Sequence, residues 1–148
     1  MGRLILRAGE RVYLDTSILV YLVERHPVYF DFVAPLWEAA QSSGISCFTS
    51  ELSILEALVM PVRNADKPLI ERYERAFSEG DLTLTPIDPA VLRRAAALRA
   101  SNRPLKTPDA IHIASAAESN CSLFLTNDEK LRWVSELTVV IVRDLLIS

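Results

Sequence analysis

The chain's 148 residues, 50% apolar and 24% charged, are enough for one domain with a core of its own and too few for two. Sixteen basic against 19 acidic side chains leave a formal charge of −3, which excludes a molecule-wide basic field for nucleic acid, so any such surface must be local. Four glycines and no biased run exclude disorder, and uncharged stretches such as Ile111 to Ala117 fall short of the ~18 apolar residues of a membrane span.

No apolar core of signal-peptide length precedes Asp15, so the expected location is the cytoplasm, with no membrane contact. Val12, Tyr13 and Leu14 form the first strand-like run, and Ile18, Leu19, Leu22 and Val23 follow at helical spacing. After Pro27 a second helix is marked by Phe32, Leu36 and Ala40, with Gly44 as its stop, and a strand over 46–49 comes next. Leu52, Leu55, Leu58, Val59 and Val62 outline a third helix, and Pro68 to Ser78 a charged one. Leu82 to Ile87 alternates like a strand, Pro89 to Ser101 reads as a helix, and Thr107 and Pro108 open another, Thr107 as cap. Strands over 122–126 and 138–142 flank a short helix over 129–135. Five strands alternating with helices predict a parallel sheet covered on both faces, a three-layer α/β/α fold.

In such sheets ligands sit beyond the carboxyl ends of the strands. Asp15 and Asp128 stand just past two of those ends, although each taken singly reads as a helix N-cap. Glu56 is the only charge between Leu52 and Val62, which suggests either function or a marginal place on the helix's polar edge. Asp109 sits in the first turn of a helix that is apolar to Ala117 apart from His112 and Ser115. Four carboxylates converging there would repel by about 3 kcal/mol per pair at roughly 5 Å and an effective dielectric near 20. That repulsion calls for a hard cation, Mg²⁺ or Mn²⁺, with water in the open positions.

The runs from Leu14 to Ser17, Thr107 to Ala116 and Leu125 to Asp128, with the isolated Glu56 between them, resemble the motifs of a PIN domain. Within that family the pattern is most similar to the VapC-type toxin ribonucleases. The resemblance spans about Val12 to Val142. It implies a sheet of order 3-2-1-4-5 and metal-dependent cleavage of RNA, leaving 5′-phosphate and 3′-hydroxyl ends. By resemblance, Asp15, Glu56, Asp109 and Asp128 are the acidic quartet that holds the metal and performs the chemistry. Residues 12–148 would be the PIN domain, and 1–11 an extension of unknown role: an edge strand, a tail or an upstream start. The same strand order sets Cys47 and Cys121 about two strand spacings (~10 Å) apart, too far for a disulfide, so both are expected to be reduced core residues.

Arg93, Arg94, Arg99, Arg103 and Lys106 fall in an acid-free segment leading to Asp109. Arg103 and Lys106 are the preferred RNA contacts, while Arg93 and Arg94 suit a solvated helix face equally well. His112 shares a helix face with Asp109 and is taken as a core or supporting residue without a catalytic role. The resemblance further implies a small VapB-like antitoxin as partner and allows a homodimer. Tyr21, Leu22, Phe30, Phe32, Val33 and Trp37 are either ordinary core or a groove for such a partner's amphipathic helix. A dehalogenase-like phosphatase fails because Ser17 stands where a second aspartate is needed, and a receiver domain fails at Leu84 to Pro86. A non-toxin RNA-processing PIN nuclease and a silent PIN-like binding module remain as alternatives.

Overall fold

The computed structural model describes residues 6–42 and 44–146. Five strands, β1 (Arg11–Leu14), β2 (Ser46–Ser50), β3 (Leu82–Thr85), β4 (Leu123–Thr126) and β5 (Thr138–Ile141), form one sheet of order β3-β2-β1-β4-β5. Every neighbouring pair is parallel. Six helices connect them: α1 (Thr16–Val23), α2 (Phe30–Ser42), α3 (Leu52–Arg63), α4 (Lys67–Ser78), α5 (Pro89–Ser101) and α6 (Thr107–Glu118).

The period of two along each strand divides the interior into two cores. Val12, Leu14, Cys47 and Leu125 point to one side, where they pack with residues of α1 to α4 such as Ile18, Leu36, Ala57 and Tyr73. Tyr13, Phe48 and Phe124 point to the other, against Val91, Leu98, Ala110, Ile113 and Ala114 of α5 and α6. Register places Tyr13 between Phe48 and Phe124, and its ring stacks on Phe124 with centroids 5.1 Å apart. Both cysteines are buried and free, one in each core, and burial raises each thiol to about 12.

Several ends differ from the sequence reading. β3 stops at Thr85, because Pro86 has no N–H to give a ladder. The helix expected over 129–135 shrinks to a 3₁₀ turn, Glu129–Leu131. Thr107 does not cap α6. It is the first helical residue, its hydroxyl accepts from Arg99 Nη1, and the cap position is Lys106, with no side-chain cap bond. Within the first eleven residues, Met1 to Ile5 lie outside the described residues. From Leu6 to Glu10 the chain forms no strand, so the edge-strand alternative does not hold there. Gly9 turns at φ 86° and donates to the carbonyl of Gly44, itself at φ 73°, while Leu6 packs against the first core. Among the described residues, no helix is long and apolar enough to cross a membrane.

Candidate active site

β1 and β4 are sheet neighbours whose chains leave in opposite directions, and the crevice between their carboxyl ends is the switch point of the sheet. Asp15, the residue after β1, takes part in this junction through its backbone: its N–H donates to Leu125 O at 2.9 Å. Its side chain is held at both oxygens. Oδ1 accepts from Thr16 N–H at 2.9 Å and Oδ2 from the Thr126 hydroxyl at 2.6 Å, Thr126 being fully buried at the end of β4. Asp128 stands across the crevice and caps the 3₁₀ turn, accepting from Lys130 N–H. Both aspartates therefore do act as N-caps, and capping and site position coincide.

Glu56 and Asp109 arrive from α3 and α6. His112, one turn after Asp109, is only 2% exposed at its side chain and lies with Nε2 2.6 Å from Glu56 Oε1 and 3.7 Å from Asp15 Oδ1. Its Nδ1 is 2.6 Å from the Tyr13 hydroxyl, which also accepts from Ser50 N–H. With that acceptance in place, the phenol proton is directed at Nδ1 of the neutral ring and Nε2–H at Glu56. Thr16 donates to the same Glu56 oxygen at 2.8 Å and joins Ser53, which joins Thr49, whose proton goes to Leu14 O. Glu56 is thus fixed by two donors on two other helices, although its side chain is 30% exposed.

The charges interact. Asp109 is raised above the ordinary aspartate value, by burial first, then by the negative charges of Asp15 and Asp128, with His112 opposing and Glu56 adding. Burial works against charge on His112, yet the Glu56 bond and the charges of Asp15, Glu56 and Asp109 outweigh it and raise the imidazole. Burial likewise pushes Glu56 up, but hydrogen bonds from His112 and Thr16 and the His112 charge carry it below the ordinary glutamate value.

Against known families, the sequence pattern of the PIN domain matches residues 12–137. The chain belongs to the PIN domain family. Comparison with functionally characterised protein sequences finds no match. Among solved structures, the fold is similar to VapBC2 from Rickettsia felis, crystallised with a DNA fragment from its promoter, at TM-score 0.71 and 16% identity over 88% of this chain and 97% of that one. A toxin–antitoxin complex from Klebsiella pneumoniae gives 0.67 and 21% over 88% and 97%. VapC20 of Mycobacterium tuberculosis, a sarcin–ricin loop cleaving toxin, gives 0.66 and 13% over 86% and 98%. At these identities the likeness concerns the fold.

On this PIN fold, Asp15, Asp128, Glu56 and His112 all act on the charge of Asp109. Yet among the described residues no three carboxylate, imidazole or thiol groups are disposed to hold one ion together. The donor set still suits Mg²⁺, which keeps several waters and takes one or two carboxylates. Asp109 has no hydrogen bond or ion pair among the described residues, and the lysine and arginine ion pairs found there involve none of the four acids. The Ser17 hydroxyl, two residues after Asp15, is buried with no partner among the described residues. His112 is not a spare ligand, since both its nitrogens are engaged.

Of the basic segment, Arg94 pairs with Glu118 and Arg99 ties the loop to Leu105 O and Thr107, whereas Arg103 and Lys106 are exposed. Lys106 lines a cavity of about 190 Å³ that also reaches Asp109. Leu22, Phe30 and Trp37 line a separate groove of about 540 Å³ between α1, α2 and α4. Val33 is core, and Tyr21 is bound by Asn127 and packs on His26 and Tyr29. Tyr13, Thr16, Ser53 and Thr126 carry no role in the sequence reading. Thr16 and Thr126 lie within the runs that carry the family resemblance, and for Tyr13 and Ser53 the only signal was position near a strand end.

Proposed function

We propose that this PIN domain protein is a metal-dependent endoribonuclease of the VapC toxin type. The observation that carries the reading is Asp109: a half-buried carboxyl beside Asp15 and Asp128, raised by burial and then by their charge, with no lysine or arginine partner among the described residues. Such a group is poised for a divalent cation. Asp15 and Asp109 would hold Mg²⁺ or Mn²⁺, with Glu56 and Asp128 completing the acidic rim. When bound, the ion would supply activated water and stabilise charge on a phosphodiester. Thr126 and Thr16 N–H fix the Asp15 carboxylate, and Thr16 and His112 fix Glu56. His112 acts as a positioning residue, because both its nitrogens face protein partners. Arg103 and Lys106 would contact RNA phosphates on the approach to Asp109. Residues 12–148 would constitute the nuclease domain, and residues 1–11 an extension.

The partner reading is a small VapB-like antitoxin, supported by the similarity to toxin–antitoxin complexes and by the groove around Leu22, Phe30 and Trp37, whose rim carries Arg25, Arg72 and Arg75 beside Glu38 and Glu79. A homodimer would bury the exposed apolar side chains of α3, among them Leu55, Val59, Met60 and Val62. The deciding experiment induces the wild type briefly, maps cleavage sites in total RNA with Asp15→Asn as control, and end-labels the fragments. New 5′-phosphate ends that need Mg²⁺ or Mn²⁺ and vanish in the variant are expected. Cyclic 2′,3′-phosphates, or equal cleavage by the variant, would overturn the mechanism. Rescue of growth by a co-expressed, co-purifying small protein would distinguish a toxin from a processing nuclease. That no three ligand groups cluster among the described residues favours, as second reading, a silent binding module, which would bind RNA without cutting it.

A further inference from the structure

Trp133 is 85% exposed, the most solvent-facing large apolar side chain among the described residues. Its placement is fixed from both sides. Leu131 is buried in the second core, Val134 packs against that core, and Arg132, between Leu131 and the tryptophan, is paired with Glu129 and Asp144. A backbone pinned at these points directs residue 133 outward, so the exposure belongs to an anchored segment. Trp133 lines the same cavity of about 190 Å³ as Asp109, together with Lys106 and Lys130. Neither lysine side chain forms an ion pair or hydrogen bond among the described residues, and Glu136 is the one other acid on the lining.

An outward aromatic face, two uncommitted ammonium groups and a site carboxylate around one small cavity match the parts that single-stranded nucleic acid requires: a platform for a base and cations for its phosphates. The volume is below the ~300 Å³ of a pocket for a drug-sized ligand, so it suits one planar base rather than a partner helix. We propose that Trp133 is a base-stacking platform for the RNA nucleotide next to the one cut, with Lys106 and Lys130 on the flanking phosphates. The inference rests on the nuclease reading, since it is Asp109 that places the stacked base beside the chemistry.

The test separates binding from cleavage. In EDTA, the intrinsic fluorescence of the full chain is titrated with a mixed-sequence single-stranded RNA oligonucleotide, and the affinity is measured in parallel with labelled RNA. Cleavage kinetics are then read in Mg²⁺. Saturable quenching is expected in the wild type and absent in Trp133→Phe, whose remaining tryptophan is Trp37 on the other side of the sheet. Trp133→Phe should keep its affinity, while Trp133→Ala should bind about ten-fold more weakly and raise KM by a similar factor with kcat nearly unchanged. If the wild type cleaves RNA but Trp133→Ala binds and cleaves as the wild type does, the stacking platform falls alone. If the wild type neither binds nor cleaves RNA, both readings fall.

Discussion

Helices α3 and α6 each deliver one acid to the crevice and look alike in sequence, yet they are held in opposite ways. In α6, Ala110, His112, Ile113, Ala114, Ser115 and Ala116 are all buried, so the helix is embedded between the sheet and α5. In α3 only Ser53, Ala57 and Pro61 are buried, at intervals of four, and the large apolar residues Leu55, Val59, Met60 and Val62 face outward. The small residues are the contact stripe, and the bulky ones are surface. The isolation of Glu56 among apolar neighbours therefore does not mark a buried setting, since Leu55 beside it is 63% exposed. Glu56 is tied to the crevice because His112 and Thr16 reach out to it from α6 and α1.

This contrast can be broken first through activity. The Asp109 side chain has no hydrogen bond or ion pair among the described residues to lose, so Asp109→Asn should cost ~10³-fold in kcat with the melting curve preserved, an effect of the size seen when one transition-state-stabilising group is removed. Glu56→Gln keeps the Thr16 contact and should cost less, roughly 10–100-fold, if the α3 acid plays the lesser role at the rim. Equal losses would mean that the two helices contribute alike.

Stability gives the next test. Ile113→Ala in α6 should cost about 2–5 kcal/mol in denaturant unfolding, because a fully buried branched chain is replaced by a cavity. Leu55→Ala in α3 should change monomer stability by less than ~0.5 kcal/mol. A large loss at Leu55, particularly one that depends on protein concentration, would show instead that the α3 face is buried in an assembly.

The pH dependence separates the helices more finely. The folded Asp109 pKa is raised, so its proton competes with a cation as pH falls, and the rise in Tm caused by millimolar Mn²⁺ should shrink from neutral to mildly acidic pH. Asp15→Asn removes one of the charges that raise Asp109 and weakens the site, so both the shift and its pH dependence should diminish. His112 also has a raised folded pKa, hence its ionised form contributes stability that is complete below its unfolded value of ~6.5 and fades as pH climbs through the folded value. Glu56, lowered, contributes above ~4.5 and fades as pH falls. The stability gap between wild type and His112→Gln should therefore narrow towards alkaline pH. A gap that widens would mean that the neutral imidazole is the stabilising form.

The smallest effect belongs to self-association. Leu55→Glu should shift the elution and light-scattering mass of any dimer towards the monomer while leaving the α6 side of the site, and cleavage per site, within about two-fold. Unchanged mass would remove α3 as the contact between copies.

Local patterns were enough to place the five strands and the six helices, though not the turn over Glu129–Leu131, and to set three of the acids at element ends. Strand ends can be read from short apolar runs, so Asp15 and Asp128 were found from their neighbours, and the run from Thr107 to Ala116 carried Asp109 on a helix start. These depend on contacts a few residues long. The network that positions Glu56 does not: Tyr13 and His112 are 99 residues apart, His112 and Glu56 56, and Asp15 and Thr126 111. Hydroxyls at strand ends carry no periodic signal, so only the sheet order, which sets β1 between β2 and β4, brings them together. Composition also could not say which side of α3 is inside, because burial depends on what packs against a face and not on how apolar it is. The outward indole of Trp133 has the same origin: the sequence around it supplies the anchors, Leu131 and Val134, but only the packed core decides that the residue between them is left in water beside Asp109.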